Sequence, residues 1–284
     1  MTDADLFVPR QVDRRALVKG SLSVGFCAAI SPVFGQTITT PSDGLVAGEV
    51  KIPVGGIEIP AYRAMPEGGG KFPTVLVIHE AFGVHEHIKD VCRRWAKLGY
   101  YAIAPELFAR EGDAAAEKDM HRLATEIIGK TPDAQVTSDL DATMSFAAAS
   151  GSADTSRAAV TGFCWGGRQT WLYAAHNPNF KAGVAWYGPL ALATSELTPK
   201  NPPDVVSELK FPVLGLYGGM DKNIPRDQIE AMRKKLAAAG GGSKIVVYDD
   251  AGHAFYADYR PNYVKADAEA SWKMATAWLK DHGV

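Results

Sequence analysis

From residue 40 onward the sequence alternates short apolar runs with longer stretches of helical spacing, and this alternation limits the possible fold more than any other feature. Residues 74–79 form an almost continuous apolar run, which is typical of a strand buried on both faces of a parallel sheet. Residues 86–98 carry apolar side chains at helical spacing, and Gly99 follows as a helix-terminating residue. Strands that alternate with helices indicate a mostly parallel sheet with helices on both faces.

The alternation of strands and helices follows a predicted hairpin and continues to the C-terminus. Residues 46–54 and 57–65 alternate polar and apolar side chains around Gly55-Gly56, which predicts an antiparallel N-terminal hairpin. The other predicted strands are 100–105, 158–162, 182–187, 213–217 and 244–248, and the other predicted helices are 113–129, 134–149, 165–176, 225–239 and 262–281. Because no internal repeat or flexible linker interrupts this pattern, we expect a single α/β domain over residues 40–284.

Residues 1–36 do not follow the pattern of the rest. Arg14 and Arg15 precede a weakly apolar stretch, residues 20–34, that is too short and too polar to span a bilayer stably. This arrangement resembles a twin-arginine export signal, with Leu17 where a phenylalanine is common. An amphipathic first helix is the alternative. We expect transient contact with the export machinery, removal of the signal, no stable membrane anchor, and a periplasmic or secreted mature protein.

The composition indicates a folded protein and leaves an uncharged small-molecule or a protein role open. Hydrophobic residues make up 46% of the 284 residues and aromatic residues 10%, which excludes a disordered chain. The 30 Lys and Arg nearly balance the 32 Asp and Glu, so the sequence offers no basic surface for a nucleic-acid backbone. The cysteines are too few for a disulfide scaffold, and Cys27 lies inside the predicted signal, which leaves Cys92 and Cys164.

Residues 160–168 (VTGFCWGGR) predict a strand, a tight turn and a helix in immediate succession. This is the G-x-S-x-G nucleophile-elbow pattern with Cys164 in the serine position. We expect glycine to be required at Gly162 and Gly166, because a Cβ at either position would collide with the neighbouring strand or helix. The helix beginning at Trp165 directs free N–H groups and its positive dipole end at the thiol, which stabilises a thiolate and an oxyanion. The alternative is a buried, inert cysteine in a glycine-rich turn.

Two later strand ends supply an acid and a base. Asp221 follows a pair of glycines after one predicted strand, and His253 follows the next strand. Nucleophile, acid and histidine occur in this chain order in α/β-hydrolases, and open α/β sheets place their sites at the carboxyl ends of strands. Asp249 and Asp250 are rival acids. We disfavour them because a residue three or four positions back along the same strand end rarely reaches the imidazole Nδ1.

Together these residues resemble the dienelactone hydrolase family, the carboxymethylenebutenolidases of the α/β-hydrolase fold. The resemblance covers essentially the whole of residues 40–284. Its motifs, in chain order, are IHEAFGV at 78–84, APELFAR at 104–110, GFCWGG at 162–167, GGMD at 218–221 and GHAF at 252–255. The resemblance implies hydrolysis of a small-molecule lactone or activated carboxylic ester. We expect neither a cofactor nor a metal.

The resemblance also assigns roles to individual side chains. It implies a catalytic triad of Cys164, His253 and Asp221 that works through a thioester acyl-enzyme. It further implies that Glu80 lies beside the thiol, holds the resting cysteine neutral, and swings away when substrate binds.

Other resemblance-based roles concern the oxyanion and the substrate. The backbone N–H groups of Ala81 and Trp165 would form the oxyanion hole, and Arg110 would hold a substrate carboxylate. The sequence departs from the family where a second arginine is expected, because Ala257 stands there and the nearest arginine is Arg260. Trp165 is also bulkier than the usual family residue, and export is unusual beside the cytoplasmic members.

Several aromatic residues lie in the predicted helix 165–176 and the predicted strand 182–187. Trp171, Tyr173 and Trp186 have positions typical of core packing, whereas we expect Trp165 and Tyr187 near the cleft. Tyr187 is therefore a candidate substrate contact. Arg260, as the arginine nearest to the missing family position, is another.

Three other functions are alternatives to the one that the resemblance implies. The chain could be a non-catalytic binding protein of the same fold, or a general esterase or thioesterase with a different substrate. Metal-dependent hydrolysis through His79, His85 and His87 is disfavoured, because no histidine follows His79-Glu80 at the zincin position. His85 and His87 precede a predicted helix, which is typical of solvated capping residues.

Overall fold

The computed structural model describes residues 38–284, so the predicted export signal at 1–36 lies outside the described residues. Their strands are β1 Leu45–Val54, β2 Ile57–Pro66, β3 Phe72–Ile78, β4 Tyr101–Pro105, β5 Ala153–Phe163, β6 Ala182–Trp186, β7 Val213–Gly218 and β8 Lys244–Tyr248. They form one sheet in the order β1-β2-β4-β3-β5-β6-β7-β8. β2 pairs antiparallel with β1 and with β4, and every later pairing is parallel. The predicted mostly parallel sheet with an N-terminal hairpin is confirmed.

Burial along the strands explains this arrangement. The hairpin strand β1 alternates exposed and buried residues, whereas β4, β6 and β7 are buried along their whole length. Strands of the second kind lie between two layers of helices, which accounts for their continuous apolar sequence. None of the described helices is long and apolar enough to cross a membrane.

The described α-helices of more than one turn agree with the predicted helices except in one region. They are α1 Glu86–Lys97, α2 Asp133–Ala149, α3 Trp165–His176, α4 Arg226–Ala239 and α5 Lys265–Asp281. The prediction of one helix over 113–129 is wrong. Only Met120–Arg122 is α-helical there, and a π-helical turn, Leu123–Ile127, and a 3-10 turn, Ile128–Lys130, follow it.

Side-chain hydrogen bonds to the backbone explain why that helix is short. The Asp113 carboxylate accepts hydrogen bonds from the N–H groups of Ala115 and Ala116, which fixes a turn where the alanine-rich sequence favoured a helix. Asp119 then caps the short helix by accepting from the N–H groups of the second and third residues after it. Such local hydrogen bonds compete with helix propensity, which is why the prediction of one continuous helix fails here.

The order of the parallel strands places several candidate side chains along one edge of the sheet. Glu80 follows β3, Cys164 follows β5, Tyr187 follows β6, Asp221 follows β7 and His253 follows β8. These strands are consecutive neighbours in the sheet. Because the carboxyl ends of parallel strands lie at the same edge, residues far apart in sequence meet there.

Candidate active site

The turn between β5 and α3 holds Cys164 in an unusual backbone conformation. Its φ is 52° and its ψ is −116°, a positive-φ conformation that residues other than glycine rarely adopt. The neighbouring glycines allow this turn to pack closely. A Cβ on Gly162 would lie 2.2 Å from the Gly166 carbonyl oxygen, and a Cβ on Gly166 would lie 2.4 Å from the His79 carbonyl oxygen. The expected requirement for glycine at both positions therefore has a steric cause.

The structure brings the three predicted triad residues into one hydrogen-bonded row. His253 Nε2 lies 3.2 Å from Cys164 Sγ, and His253 Nδ1 lies 2.7 Å from Asp221 Oδ2. All three side chains are buried. Asp249, one of the rival acids, instead pairs with Arg226 at 2.6 Å and is mostly exposed.

The charge of His253 follows from its two neighbours. Burial lowers the pKa of His253, but the Cys164 sulfur and the Asp221 carboxylate raise it by more, to about 10. A raised histidine pKa means that the imidazole stays protonated at neutral pH. This geometry is suited to a thiolate–imidazolium pair oriented by a carboxylate.

Glu80 is fully buried and lies in a polar cluster beside this row. Its Oε1 lies 2.7 Å from His85 Nε2 and also accepts a hydrogen bond from the Tyr259 hydroxyl, while its Oε2 lies 3.8 Å from the Arg260 guanidinium. Burial raises the pKa of Glu80, but Arg260 and His85 lower it by more, to well below its usual range. The Glu80 carboxylate is therefore ionised and bonded to these groups, while the sulfur of Cys164 is bonded to His253.

The two candidate arginines have different surroundings. Arg260 is buried, donates a hydrogen bond to the Tyr259 hydroxyl at 2.9 Å, and lies over the Phe82 ring. Arg110 makes a bidentate ion pair with the buried Asp139 of α2, in which Arg110 Nη2 lies 2.8 Å from Asp139 Oδ1. The structure thus places Arg260 next to Glu80 and directs the Arg110 guanidinium toward α2.

Tyr187 lies against the imidazole of the row. Its ring centroid is 5.3 Å from that of His253, and its φ of 37° is positive. The hydroxyl is buried without a hydrogen-bond partner among the described residues. Burial and the nearby Glu80 carboxylate raise the pKa of Tyr187 well above its ordinary value, so the hydroxyl retains its proton. Trp171 and Trp186, by contrast, are buried and use their indole N–H groups within the core.

Ala81 and Trp165 carry the two backbone N–H groups that are predicted to form the oxyanion hole. Ala81 is buried immediately after Glu80, and Trp165 is the first residue of α3. Among the described residues, neither backbone N–H donates a hydrogen bond to a backbone carbonyl. Such free, preorganised donors are what an oxyanion hole requires.

The histidines outside this row are not arranged for a metal. No group of three or more possible ligands occurs among residues 38–284. The interpretation of His85 and His87 as solvated caps is wrong. His85 occupies the N-cap position of α1 without a side-chain capping bond and contacts Glu80, and the buried His87 lies 3.2 Å from Asp258.

Tyr259 and His85 are contacts of Glu80 that sequence reasoning missed. Tyr259 is 179 positions from Glu80 in the chain and reaches it only because the segment after β8 folds back across the edge of the sheet. The single available signal was its position directly before Arg260.

The chain is similar to known proteins along most of its length. The model of the "Dienelactone hydrolase family" matches residues 59–283. The chain is 56% identical over 286 residues to a "Putative carboxymethylenebutenolidase" of Methylorubrum extorquens, with 99% of this chain and 98% of the relative covered. It is 51% identical over 260 residues to a protein of the same name in Escherichia coli strain K12, with 91% and 96% covered.

Solved structures agree with these relatives. The crystal structure of a "Putative Dienelactone Hydrolase" from Klebsiella pneumoniae superposes with a TM-score of 0.81 at 51% identity, covering 83% of this chain and 98% of that one. The "Dienelactone Hydrolase-like Promiscuous Phospotriesterase P91 from Metagenomic Libraries" shares the fold, with a TM-score of 0.71 at 22% identity and coverage of 84% and 99%.

Proposed function

The chain belongs to the dienelactone hydrolase family and is a carboxylic-ester hydrolase of the α/β-hydrolase fold, and on this basis we propose that it cleaves a small lactone or activated ester through Cys164, His253 and Asp221. The row of contacts from the Cys164 sulfur through His253 to Asp221 carries this proposal. The order sulfur, imidazole, carboxylate is the arrangement that nucleophilic acyl transfer needs.

In the first half of the reaction the Cys164 thiolate attacks the ester carbonyl carbon. A C–S bond forms, and the carbonyl electron pair moves onto oxygen, where the N–H groups of Ala81 and Trp165 stabilise the negative charge. The intermediate then collapses as the ester C–O bond breaks. The His253 imidazolium gives its proton to the departing oxygen, and a thioester remains on Cys164.

In the second half, water replaces the leaving group. His253, now neutral and oriented by Asp221, takes a proton from water, and the resulting hydroxide attacks the thioester. The C–S bond breaks, the carboxylic acid leaves, and the thiolate–imidazolium pair is restored. No cofactor takes part in this sequence of steps.

The nucleophile itself limits the substrate class. A thiolate is a good leaving group, so even with the proton that His253 supplies, the tetrahedral intermediate returns mostly to substrate unless the departing group is weakly basic. Enol lactones and activated esters satisfy this condition, and amides do not. We further propose that Arg260 and Tyr187 contact the substrate, because the buried Arg260 guanidinium lies 3.8 Å from Glu80 and the buried Tyr187 ring packs against His253.

The proposal is tested by measuring turnover of an enol lactone, p-nitrophenyl acetate and a matched anilide. We expect the wild-type chain to hydrolyse the first two in preference to the anilide. Cys164→Ala should lower kcat/KM by about 10³-fold or more, as removal of a catalytic nucleophile does. Cys92→Ala is the matched control, since Cys92 is a free, buried cysteine of α1, and it should retain turnover.

Two results would contradict the proposal. Undiminished ester hydrolysis by Cys164→Ala would show that Cys164 is not the nucleophile. Absence of turnover with every ester, lactone and thioester tried would instead favour a non-catalytic binding protein.

A further inference from the structure

His79 is the last residue before Glu80 and takes no part in the row that contains Cys164. Its side chain is completely buried, and the ring stacks on Trp165 with centroids 5.4 Å apart and planes 13° apart. The Phe108 ring packs edge-on against it at 4.7 Å. A buried imidazole must satisfy both ring nitrogens, so its partners define its role.

The two hydrogen bonds of the ring fix its tautomer. The Leu107 N–H points at His79 Nε2 at 3.0 Å, so Nε2 accepts and carries no proton. The proton is therefore on Nδ1, which lies 2.7 Å from the Glu80 carbonyl oxygen and donates to it. Burial lowers the pKa of His79 by more than the Glu106 carboxylate, 3.4 Å from Nε2, raises it, which agrees with a neutral ring.

The carbonyl that receives this bond belongs to the same peptide group as the Ala81 N–H. A peptide group is planar, and in the trans form its C=O and N–H point in opposite directions. Holding the Glu80 oxygen therefore aims the Ala81 N–H to the other side. The Gly83 N–H also donates to this oxygen, at 3.2 Å, so two donors fix one peptide plane. Hydrogen bonds to the carbonyl also polarise the N–H and make it a stronger donor.

The same residue contacts the second N–H of the pair. The Trp165 ring lies on the His79 ring, and the start of α3 packs on the His79 backbone so closely that Gly166 leaves no room for a Cβ. His79 thus touches both segments that present an N–H group to the carbonyl oxygen of a substrate.

From these contacts we propose that His79 is a positioning residue for the oxyanion hole, which it sets by holding the peptide between Glu80 and Ala81 through its Nδ1–H. This inference rests on the proposed function, since it concerns the same reaction. It gives a role to a histidine that is neither a metal ligand nor a member of the triad.

The test separates oxyanion stabilisation from thiol reactivity. His79→Phe keeps the ring on Trp165 but loses both hydrogen bonds, whereas His79→Gln keeps a donor and an acceptor. Each variant is assayed for kcat and KM with p-nitrophenyl acetate, and for the rate of Cys164 alkylation by iodoacetamide. Alkylation displaces iodide in one step and forms no oxyanion, so it reports the thiolate alone.

We expect His79→Phe to lower kcat by about 30-fold or more, because a misaimed donor forfeits part of the about 10²–10³-fold in kcat that one oxyanion donor supplies, with KM and the alkylation rate within about threefold of wild type. His79→Gln should stay within about tenfold of wild-type kcat. Wild-type kcat in His79→Phe, or a parallel loss of alkylation, would overturn the proposal. If Cys164→Ala keeps full turnover, the proposed function fails instead.

A measurement on the wild-type protein covers the case in which His79→Phe does not fold. In ¹⁵N-histidine-labelled protein, His79 should be the neutral Nδ1–H tautomer, and its Nδ1 signal should shift when a peptidyl or aryl aldehyde forms a thiohemiacetal on Cys164. A protonated ring, the other tautomer, or an unchanged signal would overturn the proposal.

Discussion

The imidazole of His253 lies between a sulfur and a carboxylate, and these two contacts set its charge. Because Cys164 and Asp221 raise its pKa to about 10, we predict that His253 is protonated at neutral pH and loses its proton only near pH 10. In Cys164→Ala the contribution of the sulfur disappears, so the midpoint should fall. An NMR titration of labelled histidines measures both values. A neutral His253 at pH 7 in the wild type, or identical midpoints, would contradict this.

The sequence predicts the position of some site residues in the fold and not that of others. Cys164, Asp221 and His253 each lie within five residues of the end of a parallel strand, so strand order brings them to one edge of the sheet. Tyr259 and Arg260 lie in a long segment between β8 and α5, and only its folded path places them on Glu80. A sequence pattern carries no information about that path.

The interface between α2 and α3 contains a buried ion pair that holds the helix directly after Cys164. The Arg168 guanidinium of α3 bonds to both carboxylate oxygens of Asp133, at 2.7 and 2.8 Å, and to the Lys200 carbonyl. Only 2% of the Arg168 side chain is exposed. We predict that Asp133→Ala lowers the free energy of unfolding by about 3 kcal/mol, because it leaves a buried charge without its partner.

Denaturant unfolding measures this difference, and Asp249→Ala is the matched control. The Asp249 pair with Arg226 is exposed, so its loss should change the free energy of unfolding by less than about 1 kcal/mol. Equal effects of the two substitutions would show that the Arg168 pair does not hold α3 in place.

Helices and strands with one apolar face were predictable, and the segment at 113–129 was not. In α3 and β8 the sequence pattern and the observed bounds coincide. In the alanine-rich segment, intrinsic propensity favoured a helix, but hydrogen bonds from the Asp113 and Asp119 carboxylates fixed turns instead. Propensity is a weak signal where one side chain can satisfy several backbone groups.

Across the chain, one sheet collects every candidate catalytic group at a single edge. The near-balanced charge of the chain and the burial of Cys164, Asp221 and His253 both favour the proposed small-molecule substrate over a polymer. Export of the mature protein by the segment at 1–36 stays a prediction from sequence.

The central claim is that Cys164 carries the acyl group during turnover. Intact-protein and peptide mass spectrometry of the chain, quenched in acid during turnover of a slow p-nitrophenyl ester, tests it most directly. The account predicts one acyl group per chain, on the peptide that contains Cys164, and none in Cys164→Ala. An acyl group on another residue, or turnover by Cys164→Ala at the wild-type rate, would contradict it.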